Sequence, residues 1–264
     1  MGKMLLSAFI LGLLAASPVV ADDANFDAKD DLVEGPPAPE YVEGAEIAIV
    51  DTGNDTVDTF GSRLTGLGYT VTTIPLSSEY DTFIMYDAVL LPVSHASSCC
   101  NALLTSLAQD YIDYVFDGGC LYVGQPNPYD IGQDGTSEIP WVPYGLTVNA
   151  FYESGDCPPV IVDPDHCMGE GLNGSDLPFP GDTVLDMAAD WEVVTEGNLT
   201  AAPGLIAAAH GSGNVLVEFA HPASGALCPY SDAGLGQMVE CCLGPAEPTA
   251  TESTTWGKIK TLHR

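Results

Sequence analysis

The sequence predicts an α/β domain with a mostly parallel central sheet and helices on both faces. Short apolar runs alternate with segments of helical periodicity between residues 46 and 124. Alternation at this spacing is typical of parallel strands that are joined by right-handed crossovers. The pattern continues over residues 44–244, which is enough chain for one domain with a sizeable core.

Four apolar runs in the first half of the domain are predicted strands, and helical patterns lie between them. The strands span residues 46–50, 69–74, 87–93 and 120–124. Residues 57–67 predict one helix and residues 103–115 a second, and glycine follows each of them.

The second half of the domain is predicted to contain further strands and a closing helix. The strands span residues 146–148, 160–162, 191–195, 205–209 and 214–219. Gly211 and Gly213 lie in a tight turn that joins the last two strands as a hairpin. Residues 232–243 predict the closing helix.

The segments outside the domain have the compositions of a signal peptide, a leader and a tail. Residues 1–21 are largely apolar and end at small residues, as in a cleavable secretory signal. Residues 22–43 are acidic and proline-rich, and residues 245–264 form a flexible tail with a basic C-terminal segment. We therefore expect a secreted protein, located in the periplasm, outside the cell or on its surface. No later apolar run reaches the ~20 residues of a stable membrane span.

The charge of the chain is strongly negative and restricts its partners. The formal net charge is −31, with 37 acidic residues against six lysines and arginines. Such a chain repels nucleic acid and anionic membranes. The acidity favours solubility in a saline medium, where screening tolerates dense carboxylates. Binding of divalent cations is the alternative, although the sequence contains no calcium-loop motif.

The cysteines of the mature chain predict disulfides. They are Cys99, Cys100, Cys120, Cys157, Cys167, Cys228, Cys241 and Cys242. An even number in an exported protein favours pairing, but the sequence leaves the connectivity open. We expect Cys157 to pair with Cys167 within one loop, and Cys228 to pair with Cys241 or Cys242. A metal site beside His166 is the alternative, but C-x-x-C spacing is absent, so we expect neither a metal nor another cofactor.

Three stretches of the domain carry motifs of a known superfamily. Residues 47–53 form a strand that ends in DTG, with a helix after it. Residues 162–184 are similar to D-P-x-H-P-(I/L)-x-x-G-L … L-P … D, with Cys167 in place of the usual proline. Residues 203–222 are similar to Y-G-x-G-R-V-V … H-P. Together they resemble the class I glutamine amidotransferase-like superfamily, and within it the non-amidotransferase branch that includes trehalose-utilisation-protein-like domains. The resemblance covers most of residues 44–243 and implies a single flavodoxin-like domain.

The turn after the fourth predicted strand lacks the nucleophile that catalytic members of this superfamily have there. Catalytic members of the superfamily place a cysteine in a G-x-C-x-G turn after this strand. The matching residues here are Gly124, Gln125, Pro126 and Asn127, among which there is no cysteine, serine or threonine. Pro126 also lacks the backbone N–H that an oxyanion hole uses. We therefore expect no glutaminase or amidase activity.

Polar residues near the carboxyl ends of the predicted strands are the candidate ligand-binding residues, because open parallel sheets bind ligands there. They are Asp51, Asn54, Ser94, His95, Gln125, Asn127 and His166. We expect His166 to reach this edge through the loop that carries it. A histidine beside an aspartate at such a crevice can perform acid–base chemistry. The alternative for each residue is a structural role in a turn or helix cap.

The sequence favours a non-catalytic binding or scaffold module whose ligand is a small molecule or a carbohydrate. The alternative is a secreted hydrolase or carbohydrate-processing enzyme that uses Asp51 with His95 or His166. The last ten residues, TWGKIKTLHR, resemble short bacterial sorting tails of the form W-G-x-I-K-x-L-x-R. This resemblance implies surface-sorting machinery as a partner; a frayed cationic end that folds back on the acidic domain is the alternative.

Signal peptidase is expected to cleave after Ala21, because Val19 and Ala21 are the small residues that its −3 and −1 sites accept. Intact mass measurement of the exported protein should give a chain that begins at Asp22. The variant Ala21→Leu should stay uncleaved, whereas the control Ala24→Leu should be processed normally. An exported chain that still begins at Met1 would contradict the prediction.

Overall fold

The computed structural model describes residues 44–53, 56–92, 98–124, 126, 136–149, 158–178, 183–199, 201–219 and 230–244. The predicted signal peptide, the leader and the C-terminal tail lie outside these residues. Within them, no helix combines the length and the hydropathy that crossing a membrane requires.

The described residues form eleven strands in two sheets. The strands are β1 (Glu46–Asp51), β2 (Thr70–Pro75), β3 (Ala88–Pro92), β4 (Cys120–Gly124), β5 (Thr136–Ile139), β6 (Leu146–Asn149), β7 (Val160–Ile161), β8 (Thr183–Met187), β9 (Glu192–Glu196), β10 (Pro203–His210) and β11 (Gly213–Glu218). The larger sheet has eight strands in the order β2-β1-β3-β4-β11-β10-β9-β7, and the smaller sheet has the order β5-β6-β8.

Five neighbouring strands of the large sheet are parallel, which confirms the predicted fold class. The pairs β1–β2, β1–β3, β3–β4 and β4–β11 all run in the same direction. β3 and β4 are buried along their whole length, as their continuous apolar sequences require of strands that are covered on both faces. Beyond β11 the pairing becomes antiparallel through β10, β9 and β7.

The turn between β10 and β11 shows why the predicted hairpin needs glycine. Gly211 has a φ of +63°, in the left-handed region that glycine tolerates best. A Cβ atom at Gly211 would lie 2.2 Å from the carbonyl oxygen of Phe116, which is too close for any other residue. The turn therefore packs directly on the end of a neighbouring helix.

Helices cover both faces of the large sheet. They are α1 (Thr56–Gly66), α2 (Tyr80–Phe83), α3 (Ser98–Ser106), α4 (Ala108–Phe116) and α5 (Asp232–Leu243). Alternate residues of β1 point to opposite faces, so that Ile47 packs with α1 and α5 whereas Ala48 packs with α2 and α4. The small sheet contributes Ile139 and Leu146 to the same face as α4.

The second predicted helix and the small antiparallel sheet differ from the predictions. The single helix predicted over residues 103–115 is divided at Leu107, whose φ of −100° and ψ of 10° leave the helical region. The small antiparallel sheet was predicted only in part, as one strand near residue 146. Its strands have four or five residues each, too few for a clear alternation of apolar and polar positions.

Two disulfides fasten the end of α5 to the rest of the domain. Cys120 bonds to Cys242 and Cys167 bonds to Cys241, with Cα–Cα distances of 5.3 Å and 5.4 Å that are usual for disulfides. The expected pairing of Cys157 with Cys167 and of Cys228 with Cys241 or Cys242 is therefore wrong. The helix brings cysteines together that are distant in sequence, whereas the expectation relied on local pairing. Cys157 and Cys228 themselves lie outside the described residues.

Loss of the Cys120–Cys242 disulfide is expected to lower the free energy of unfolding by about 4 kcal/mol, because it closes a loop with a sequence separation of 122 residues. Urea unfolding of the Cys120→Ala, Cys242→Ala double variant, under non-reducing conditions, measures this change. Peptide mapping of the unreduced wild-type protein should recover the same pair. Unfolding of the variant at the wild-type urea concentration would contradict the prediction.

Candidate functional site

The carboxyl ends of four parallel strands meet at one edge of the large sheet, which we call the carboxyl edge. β1 ends at Asp51, β3 at Pro92, β4 at Gly124 and β11 at Glu218. The register pairs Gly124 with both Pro92 and Glu218, so the strand ends are level with one another. Ligands bind beyond this edge in open parallel sheets, which makes it the first candidate for a functional site.

Asp51 has a structural role at this edge. Its Oδ1 atom accepts a hydrogen bond of 2.8 Å from the backbone N–H of Gly53, which closes a turn. Thr52 donates its hydroxyl to the carbonyl oxygen of Pro92 at 3.2 Å and so ties the end of β1 to the end of β3. Gly53 has a φ of +75°, which the turn requires. Asp51 itself is exposed, so the turn presents its carboxylate to solvent at the carboxyl edge.

Most of the other predicted ligand-binding residues lie outside the described part of the chain. These are Asn54, Ser94, His95, Gln125 and Asn127. Pro126 is described and is buried directly after β4. Pro126 occupies the position that corresponds to the nucleophile in the G-x-C-x-G turn, and it lacks a backbone N–H group.

His166 lies at the opposite edge of the sheet from Asp51, so the expectation that it reaches the carboxyl edge is wrong. β7 runs antiparallel to β9, and the chain after β7 therefore moves away from the carboxyl edge. His166 then lines a cavity together with Asn214 and Cys241. Asn214 pairs with Cys120 at the start of β4, which marks this side as the amino edge. Asp51 and His166 therefore do not form a catalytic pair.

A buried carboxyl group that was not among the predicted site residues lies just inside the carboxyl edge. Glu218, at the end of β11, is only 1% exposed and accepts a hydrogen bond from the hydroxyl of Tyr122. Burial raises the pKa of Glu218 to about 8, while the hydrogen bond from Tyr122 acts in the opposite direction. The sequence did contain a signal, because Glu218 is the one charged residue in the apolar run VLVEF.

Arg63 holds the start of α5 close to this buried carboxyl group. Its Nη2 atom donates to the carbonyl oxygen of Tyr230 at 2.8 Å and forms an ion pair with Asp232 at 2.7 Å. Tyr230 is buried, and its hydroxyl lies beside Glu218 and Tyr122. Burial raises the pKa of Tyr230, and the charge of Glu218 raises it further.

Comparison with known proteins supports the fold and nothing more specific. No protein-family model matches the sequence, and no curated protein does. A solved structure described as a GMP synthase protein, from Thermoplasma acidophilum, is 12% identical with a TM-score of 0.54 and covers 83% of this chain and 98% of its own. A cytoplasmic protein from Salmonella typhimurium is 15% identical with a TM-score of 0.46, over 77% of this chain and 100% of its own. The first likeness supports a class I glutamine amidotransferase-like fold.

Replacement of Glu218 by glutamine is expected to change how stability depends on pH. The folded protein keeps the Glu218 proton up to about pH 8, whereas the unfolded chain releases it near the ordinary value of 4.5. The carboxyl group therefore costs the wild-type protein up to about 1.4 kcal/mol of stability for each pH unit between these values, as pH rises. Glu218→Gln should gain stability relative to the wild type over that range, measured by urea unfolding at pH 5, 6, 7 and 8.

The exposed Glu170 provides the control for this measurement. Glu170→Gln should keep the wild-type dependence of unfolding free energy on pH. A constant difference between Glu218→Gln and the wild type across the four pH values would show that Glu218 is already ionised in the folded protein.

Proposed function

We propose that this protein is an exported binding or scaffold module of the glutamine amidotransferase-like fold, without catalytic activity. We also propose that it belongs to the non-amidotransferase branch with trehalose-utilisation-protein-like domains. The observation that carries the proposal is the separation of the groups that catalysis would need. Asp51 lies at the carboxyl edge and His166 at the amino edge, and no nucleophile follows β4.

The missing nucleophile counts against acyl transfer at the carboxyl edge. Such a reaction needs an activated hydroxyl or thiol beside a base, with N–H donors aimed at the developing oxyanion. Residues 124–127 contain neither a side-chain hydroxyl nor a thiol, and the buried Pro126 lacks a backbone N–H donor. Cys120, Cys167, Cys241 and Cys242 are held in disulfides and so offer no free thiol.

The charge of the domain favours a neutral ligand. Arg63 is the only lysine or arginine in residues 44–244, and it is already engaged by Asp232 and Tyr230. An anionic ligand such as a phosphate or carboxylate would find no second such cation, and the net charge would repel it. A neutral carbohydrate or another uncharged small molecule avoids this cost, because hydroxyl groups bind through polar side chains and the backbone.

The disulfides support the proposal of export. Disulfides persist in oxidising compartments and are rare in a reducing cytosol. Export also agrees with the signal-peptide composition of residues 1–21. In this proposal the basic C-terminal segment is a sorting signal that retains the module at the cell surface.

The mature protein, residues 22–264, is expected to bind a neutral oligosaccharide on a glycan array and to release neither ammonia from glutamine nor 4-nitrophenol from nitrophenyl glycosides. Titration calorimetry with the best glycan should show saturable binding. Asp51→Asn should weaken this binding roughly tenfold, which is about 1.4 kcal/mol. The control Glu170→Gln, at an exposed position in the loop that carries His166, should bind as the wild type does.

A reproducible hydrolytic activity would favour the alternative, a secreted hydrolase. Its loss in His95→Ala or His166→Ala, with an unchanged melting temperature, would overturn the binding-module proposal. Absence of binding to every neutral glycan and to a panel of uncharged metabolites would also count against it.

A further inference from the structure

The amino edge contains a cavity that the proposed function does not use. Its volume is about 220 Å³, and the Cys167–Cys241 disulfide forms part of its wall. Trp191, Asn214 and the alanines of β10 line other parts of the wall, together with the carboxylates of Asp190 and Glu192. A small molecule that enters this cavity therefore meets a disulfide.

An imidazole lies beside one sulfur of this disulfide. The Nδ1 and Nε2 atoms of His166 are 3.8 Å and 4.0 Å from Sγ of Cys167. The backbone N–H of Met168 donates to Nδ1 at 3.1 Å, so in the neutral ring the proton is on Nε2. The Nε2–H group is therefore positioned near the sulfur.

The loop around His166 fixes the ring in this position. Oδ1 of Asp163 accepts hydrogen bonds from the backbone N–H groups of Asp165 and His166, at 3.1 Å and 3.2 Å. Nε2 of Gln237, on α5, donates to the carbonyl oxygen of Cys167 at 2.6 Å. A hydrogen bond with Glu192 is the largest cause that lowers the pKa of Asp163, and the charge of His166 lowers it further.

The second disulfide has a different environment. Cys120 and Cys242 are each 2% exposed, and the cavity beside them is lined by the carboxylates of Asp87 and Asp117. No histidine lines that cavity among the described residues. Carboxylates line both cavities, but among the described residues only the first places an imidazole N–H near a cysteine sulfur. A hydrogen bond from that N–H stabilises a thiolate, so the two disulfides differ in how well they can release one.

We propose that Cys167–Cys241 is an exchange-active disulfide that small thiols of the cysteine and glutathione class open, with His166 as the residue that stabilises the departing sulfur. The thiolate of the small molecule attacks Sγ of Cys241 and forms a mixed disulfide. The bond between Cys241 and Cys167 breaks, and its electron pair leaves on Sγ of Cys167 as a thiolate that the Nε2–H group of His166 stabilises. A second thiolate then attacks the outer sulfur of the mixed disulfide.

This second step completes a two-electron exchange. It forms the disulfide of the small molecule and releases Cys241 as a thiolate, and the thiolates of Cys167 and Cys241 each take a proton from solvent. The protein disulfide is reduced to two thiols, and two small thiols are oxidised to one disulfide. Cys120–Cys242 stays closed throughout and continues to hold α5 on the sheet.

A metal centre is the competing interpretation of the same residues. Ligand atoms of His166, Cys167 and Cys241 all lie within 4.8 Å of one another. However, the two sulfurs are bonded to each other, and Nδ1 of His166 already accepts the N–H of Met168. Metal binding would require reduction of the disulfide to two thiolates, and a metal on Nδ1 would displace the N–H of Met168. The geometry therefore favours the disulfide.

The test is the rate at which each disulfide opens in the mature protein in glutathione at pH 7. Samples are alkylated over time, and mass spectrometry of the peptides reports each cysteine. Cys167 and Cys241 should open at least tenfold faster than Cys120 and Cys242. His166→Ala should slow only the first pair, by roughly tenfold, because it removes the N–H group near Sγ of Cys167.

His210→Ala is the matched control. It removes another imidazole, at the end of β10, which contacts the rings of Phe116 and Tyr144 rather than a disulfide. Both disulfides should open at the wild-type rates in this variant. His166→Leu, which also lacks a donor, replaces His166→Ala if the alanine variant loses its melting transition. The wild-type comparison of the two disulfides requires no variant.

Three outcomes would overturn the proposal. The first is equal opening rates for both disulfides in the wild type. The second is an unchanged rate for Cys167–Cys241 in a folded His166 variant. The third is protection of Cys167 and Cys241 from alkylation by one equivalent of zinc chloride after reduction, which would identify a zinc centre instead.

Discussion

Consecutive cysteines at the end of α5 bond to two separate parts of the domain. Cys242 bonds to the start of β4, and Cys241 bonds to the loop after β7. The loop has only two residues of strand to hold it to the sheet, and the disulfide and the hydrogen bond from Gln237 to Cys167 fasten it to the helix. Arg63 fixes the other end of α5 through Asp232. The helix therefore connects the parallel half of the sheet with its antiparallel extension.

The low number of basic residues shapes the electrostatics of the whole domain. Elsewhere in proteins, lysines and arginines commonly neutralise carboxylates near a site. Here the guanidinium of Arg63 binds the carbonyl oxygen of Tyr230 at the start of α5. Buried polar groups are stabilised by neutral partners instead. Glu218 illustrates this, because a tyrosine hydroxyl is its hydrogen-bond partner and burial keeps its proton in place. A surface with so many carboxylates also repels anions at both edges of the sheet.

The sequence predicted what depends on local pattern and missed what depends on distant contacts. The apolar runs of β1, β3 and β4 identified the parallel sheet, because strands buried on both faces need continuous apolar residues. Gly211 predicted the hairpin, because glycine between two apolar runs is typical of a tight turn. The partner of Cys167 was not predictable, because it depends on where α5 packs, 74 residues later in the chain. The position of His166 was missed for the same reason, since the direction of β7 decides which edge the loop reaches.

The direction of α5 relates the two edges of the sheet to each other. Its first residues follow Tyr230, beside the buried carboxyl of Glu218 near the carboxyl edge, and its last residues carry the cysteines of the amino edge. A twelve-residue helix spans about 18 Å at 1.5 Å per residue, which is close to the length of the strands beneath it. The two edges are therefore too far apart for their side chains to touch. Coupling of the two edges through α5 would require movement of this helix. The Cys120–Cys242 disulfide and the ion pair of Arg63 with Asp232 oppose that movement near both ends of the helix.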